Sequence, residues 1–221
     1  MNSIKKSGNH QLKKGSHDVK VTVWIVIFIT VLIWSGIGPH DYPTWILEVM
    51  PAIAGFLILC FTYQQFPLTG LLNILILIHC LILMVGGHYT YAEVPLFDTF
   101  AEFFNSSRNN YDKLGHFTQG FVPAMIAREI LLRFSVVKSR SWMNFLIICI
   151  CLAISAFYEL IEWVVALMSG SAAESFLGTQ GYVWDTQSDM AWALFGANMA
   201  LLLLGRMHDR QLSKLIKLDI N

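Results

Sequence analysis

The chain has 221 residues, of which 55% are hydrophobic and only 14% charged, and its formal net charge is zero. Charged residues run nearer a quarter of an ordinary soluble domain, so the composition excludes one. It also excludes a nucleic-acid-binding domain, because the basic residues stand in short clusters beside apolar runs with no basic surface behind them.

Residues 1–20 are polar and carry Lys5, Lys6, Lys13, Lys14 and Lys20; their composition predicts an irregular basic tail. A helix needs about 20 mostly apolar residues to cross a bilayer. Four such stretches follow plainly, at about 21–38, 44–62, 67–86 and 142–166. Two weaker ones, about 114–134 and 185–205, carry polar residues but are flanked by aromatic or basic groups, and we count them as spans. The first span is read as an uncleaved helix, since Gly36-Ile37-Gly38-Pro39-His40 is a poor signal-peptidase site. Residues 206–221 form a second basic tail. The expected fold is therefore all-α: a polytopic bundle of six transmembrane helices within 21–205.

Lys and Arg set the orientation. The amino-terminal lysines, then Arg128, Arg133, Lys138 and Arg140, then Arg206, Arg210, Lys214 and Lys217 all fall on one side of a six-span chain. The positive-inside rule makes that side, with both termini, cytoplasmic. Cys60, Cys80, Cys149 and Cys151 all lie inside apolar runs without metal or disulfide spacing, and read as small buried apolar residues.

Ionisable groups within a membrane are costly and point to function. Asp112, His116 and Gln119 share one face of the fourth span at i, i+4, i+7, with Lys113 beside them. Ser155, Glu159 and Glu162 form a stripe on the fifth, after Tyr158; Asp185, Asp189 and Trp192 form one on the sixth. The third span ends in Gly86-Gly87-His88-Tyr89. With the orientation above, all these residues meet in the outer half of the bilayer, and the cytoplasmic half is expected to hold little comparable. Such carboxylates must share protons, pair with Lys113 or Arg108, meet water or hold a cation. His116, Glu159, Glu162, Asp185, Asp189 and His88 are thus candidate ligands of a divalent metal ion whose identity stays open. His116, Glu159, Glu162 and Asp189 are candidate acid, base or catalytic groups. Asp112, Lys113 and Gln119 are candidates for contacting a substrate. Asp185 could equally cap the sixth helix.

The loop 87–113 carries Phe97, Phe100, Ala101 and Phe104 at helical spacing, which predicts a short amphipathic helix on the outer interface, either an anchor or a lid. Gly86-Gly87, Gly115, Gly120 and Gly196 are expected to allow close helix packing.

The strings GGHYTYAEVPL (86–96), YDKLGHFTQGFVPA (111–124), REILLR (128–133), YELIEW (158–163) and VWDTQSDM (183–190) closely resemble the YjdF-like inner-membrane protein family. More distantly, Asp112-Lys113 with His116-Phe117, then Glu159, then Asp185 and Asp189 with Asn198, are similar to the pattern of VanZ-like membrane proteins, although Glu162 stands where that pattern has Gln. The resemblance implies a multi-pass bacterial inner-membrane protein and supplies no reaction. Three functions follow from the residues. The first is an enzyme acting on a lipid or envelope-precursor head group. The second is a non-catalytic scaffold, and the third a proton- or cation-coupled transporter. The expected partners are the bilayer and a lipid or envelope-precursor ligand; the oligomeric state stays open.

Overall fold

The computed structural model describes residues 2–105, 108–169 and 179–219. Among them the chain is all helical, with no strand. In chain order the helices are α1 (Asn2–Ser35), α2 (Tyr42–Thr62), α3 (Gly70–Tyr89), a 3₁₀ turn (Tyr91–Glu93), α4 (Pro95–Phe103), α5 (Tyr111–Arg133), α6 (Arg140–Ser169) and α7 (Asp185–Asp219). Helix α1 starts at Asn2, so within the segment 1–20, expected to be irregular, the described residues 2–20 are helical and run directly into the first apolar stretch.

Among the described residues four helices are long and apolar enough to cross a membrane: Tyr42–Thr62, Gly70–Tyr89, Arg140–Met168 and Asp185–Ile216, with Val19–Ser35 a shorter apolar helix. Helix α5 has the length, 23 residues, but Asp112, Lys113, Arg128, Glu129 and Arg133 dilute its apolar character. At about 1.5 Å per residue, the 35 residues of α7 reach well past the ~30 Å hydrocarbon thickness. Its last turns, from about 206, are basic.

The surface is inverted relative to a soluble domain. Phe61, Ile58, Leu202 and Leu203 are largely exposed, whereas Glu48, Asp112, Lys113, His116, Glu129, Asp189 and His208 are all buried. That arrangement suits a solvent of lipid, where apolar side chains face outward and every polar group must be satisfied within the protein. The cysteines divide on the same principle: Cys80 and Cys151 are buried, as expected, but Cys60 and Cys149 are exposed. The apolar exterior accepts a small apolar residue as readily as the core does.

The bundle is built around α5, which packs most extensively on α7 and also touches α3 and α6. Lys113 pairs with Asp189 and Arg128 with His208, so α5 and α7 run parallel. Their contact requires two glycines. A Cβ on Gly120 would overlap the carbonyl of Ala193, and one on Gly196 would overlap the carbonyl of Phe117. Only backbones without side chains can approach this closely, and Ala193, Ala197 and Ala200 extend the small-residue seam. Helices α1, α2 and α3 form the remaining wall. Trp24, Phe28 and Phe56 stack there, and the Trp24 indole donates to the Asn73 carbonyl at 2.8 Å. Asp41 caps α2 by accepting from the Thr44 amide at 2.8 Å, and hydrogen bonds from the Thr44 side chain and amide hold its carboxyl below the usual range.

Between α3 and α5 the chain turns sharply at Thr90, whose φ of 61° is unusual for a β-branched residue. The turn drives the Tyr91 ring between Gly86 and Gly115, where a Cβ on either would collide with it. Helix α4 follows as expected, with Phe97 packed on Tyr111 while Phe100, Phe103 and Phe104 stay exposed.

Candidate functional site

The amino-terminal ends of α5 and α7 bring together most of the expected polar residues. Asp112 and His116 are one turn apart on α5, 3.3 Å between Oδ1 and Nε2. Asp189 of α7 stands on the same side, with Oδ2 4.0 Å from Nε2. One potential ligand atom from each of Asp112, His116 and Asp189 lies within 4.8 Å of the others, and all three residues are buried. The other ring nitrogen, Nδ1, lies 3.1 Å from Gln119 Oε1 and 3.8 Å from Glu159 Oε1. That Glu159 oxygen is buried and has no hydrogen-bond partner among the described residues.

The four atoms around the imidazole are all oxygen acceptors. A neutral ring carries one N–H, so it would turn a nitrogen lone pair toward a carboxylate. The arrangement therefore calls for a carboxyl proton shared with the ring, a second proton on the ring, or a cation at Nε2. Gln119, a candidate for contacting a substrate, stands against His116 Nδ1.

Lys113 and Arg108 bind the same acids from the opposite side. Lys113 Nζ donates to Asp185 Oδ1 at 2.8 Å and to Asp189 Oδ1 at 2.5 Å, and lies 3.4 Å from Asp112. Arg108 bridges Asp185 at 2.5 Å and the Thr179 carbonyl at 2.8 Å, and approaches Asp112 at 3.6 Å. Asp185 is thus the anchor of an ion-pair network, beyond any capping role, and it stands outside the His116 group. Four buried carboxylates, Asp112, Asp185, Asp189 and Glu159, face two permanent cations and one histidine. A deficit of positive charge remains, and low dielectric makes it expensive.

Besides Asp185, two candidate ligands stand apart from this group. His88 Nδ1–H donates to the Ser35 carbonyl at 3.1 Å, and the ring packs on Trp34 and Tyr89 at the edge of α1. The geometry gives it no metal partner. Glu162 is buried one turn beyond Glu159 but has no direct contact with His116 among the described residues.

The structure adds Glu48, which the sequence reading passed over. It is the one charged residue of α2, it is buried, and its Oε2 accepts from the Tyr158 hydroxyl at 3.3 Å. Tyr158 in turn meets the edge of His116. A single acid in an otherwise apolar span was the available signal.

The expectation that the opposite end of the bundle holds little comparable is overturned. Glu129 and His208 are fully buried there, with His208 Nε2 2.9 Å from Glu129 Oε2. Arg128 donates to His208 Nδ1 and to Asp209, while Thr69 Oγ1 donates to Glu129 at 2.8 Å. Because Arg128 can only donate, His208 Nδ1 is the acceptor and Nε2 carries the proton given to Glu129. Every member is satisfied, so this cluster reads as a fastening of α3, α5 and α7. Its residues were hidden by their setting: Arg128 and Glu129 look like ordinary flank charges, and His208 falls among the basic residues of the tail.

An apolar exterior around a buried ionic interior, with helices of membrane-crossing length, defines a multi-pass helical membrane protein. Residues 20–210 match the family described as predicted membrane protein (DUF2238), and the chain belongs to that family. The chain is also 54% identical over 184 residues, 83% of its length and 88% of the relative's, to a protein of Escherichia coli (strain K12) described as inner membrane protein YjdF. It is an inner-membrane protein. No solved structure matches it.

Proposed function

We propose that the chain crosses the inner membrane six times, through α1, α2, α3, α5, α6 and α7, with both termini in the cytoplasm. Two observations support this reading: α5 and α7 run parallel, as a fourth and a sixth pass must, and all the Lys and Arg residues but Arg108 and Lys113 fall at the chain ends and turns that it assigns to the cytoplasm. The Asp112–His116–Asp189 centre then lies on the outer side, where we infer that it holds a divalent metal ion and acts on the head group of a lipid or envelope precursor. The observation that carries this reading is the ring of acceptors around His116, which leaves Nε2 facing two carboxylates. Ligand atoms 3.3–4.0 Å apart can share one ion, since metal–oxygen and metal–nitrogen distances of about 2.0–2.2 Å set neighbouring ligands roughly that far apart. Gln119 at Nδ1 supplies the outer partner that ligating histidines usually have.

A metal held there would supply Lewis-acid polarisation of an ester or phosphoryl oxygen. Glu159, on the far side of His116, would exchange a proton with the reacting group or with water. Lys113 keeps Asp185 and Asp189 in place and turns a cation toward an anionic head group.

Metal analysis of the detergent-purified protein tests the reading. About one divalent ion per chain is expected, retained through gel filtration and lost in His116→Ala and Asp189→Asn variants that remain monodisperse with native helicity. A second reading, a scaffold whose polar centre only fixes packing, is favoured by the Lys113 and Arg108 pairing network. No metal in the wild type, together with variants that no longer fold, would select the scaffold.

A further inference from the structure

Beside the polar centre, α4, α5 and α7 enclose a groove of about 640 Å³, within the range that small-molecule sites occupy. Its charged lining consists of Arg108 and Lys113; among the described residues no carboxylate lines it, because Asp112, Asp185 and Asp189 stand behind the two cations. The rest of the wall is mostly apolar: Leu114 and Phe117 continue down α5 and Trp192 down α7. Tyr182 covers the charged end, with Arg108 5.3 Å and Lys113 5.9 Å from its ring centre.

The sequence of surfaces along this groove has a direction. Lys113 begins α5, and Phe117 lies one turn further in; Asp185 begins α7, and Trp192 lies about 10 Å further along the axis. Cations at the mouth and aromatic rings toward the bilayer centre reproduce the orientation of a membrane lipid. The guanidinium fork of Arg108 suits a phosphate oxygen as well as the carboxylate it already binds.

We propose that this groove binds one membrane amphiphile with a phosphate-type anionic head group, the head at Arg108 and Lys113 and the hydrocarbon chain against Leu114, Phe117 and Trp192. The proposal rests on the reading of the outer centre as one that acts on such head groups, and it names the substrate class. It places the head group beside, and not within, the Asp112–His116–Asp189 cluster.

Native mass spectrometry of delipidated protein, incubated with phosphatidylglycerol or phosphatidylcholine, tests it. One phosphatidylglycerol per chain is expected to be held, at least about tenfold more strongly than phosphatidylcholine, the worth of one charge-assisted hydrogen bond. Leu114→Trp, which fills the groove, is expected to abolish retention, and Arg108→Gln to erase the preference between the two lipids. Ser188→Phe fills the same groove from α7 and serves if Leu114→Trp does not fold. Equal retention of both lipids, or full retention in a folded, filled variant, would overturn the proposal. So would displacement of the lipid by excess inorganic phosphate, which would mark a site for a soluble anion. Metal content measured on the same samples separates the two readings. Leu114→Trp is expected to lose lipid and keep metal, and a wild type that holds lipid without metal would sink only the metal centre.

Discussion

Lys113 illustrates how one side chain can hold a buried site together. Its amine reaches three carboxylates that belong to two helices, and the residue is 8% exposed. Removing one partner from a buried ion pair costs about 3–5 kcal/mol, because the other charge is stranded. Lys113→Met is therefore expected to lower the thermal unfolding midpoint in detergent sharply. Adding Asp189→Asn should recover part of that loss, since it removes one stranded charge. Simple additivity of the two losses would show that the pair is not coupled. At the other end of the bundle, His208→Phe is expected to cost about 1–3 kcal/mol by leaving a Glu129 oxygen and an Arg128 N–H without their partner. Metal content should be unaffected there, because Glu129 lies about 20 Å along α5 from His116.

Among the elements, α5 and α7 matter most, and their contact depends on the absence of two side chains. Gly120→Val would push α7 away from α5, since its Cβ meets backbone and no rotamer can avoid it. We expect loss of stability beyond the 1–3 kcal/mol typical of overpacking, about 3 kcal/mol or more, together with loss of the metal. Gly205→Val, on α7, meets nothing within 4 Å and should be tolerated. Much at this scale was legible in advance. The apolar runs placed α2, α3 and α6, the aromatic spacing placed α4, and the helical period put Asp112, His116 and Gln119 on one face. The partners of those residues were harder to read. Glu48 contributes from a helix with no other charge, and the Glu129–His208 cluster pairs residues 79 positions apart that look like flank charges along the chain. Periodicity reports which face a residue occupies; it carries no information about which other helix that face meets. His88 stands apart from the His116 group for the same reason, its helix turning it toward α1.

For the whole molecule, the six-pass reading makes a direct demand on topology. Reporter fusions in the 87–113 loop and at the carboxyl terminus should report opposite sides of the membrane, and the same side for both would exclude it. The inverted surface, with its buried acids and bases, also implies an order of assembly. Lys113, His116 and Arg128 find partners on α7, at sequence separations of 72 to 81. During synthesis, α5 leaves the ribosome before any of those partners exists. A helix so charged has little reason to partition alone into lipid. Helices α5 and α7 should therefore enter the bilayer as a pair, with the earlier one waiting at the translocon for the later. A chain ended at residue 169 should leave the middle of α5 open to a membrane-impermeant thiol reagent at an introduced cysteine, and the full chain should protect it. The close glycine contact that positions the site would then also act as a checkpoint in biogenesis, closing only once the last helix has been made.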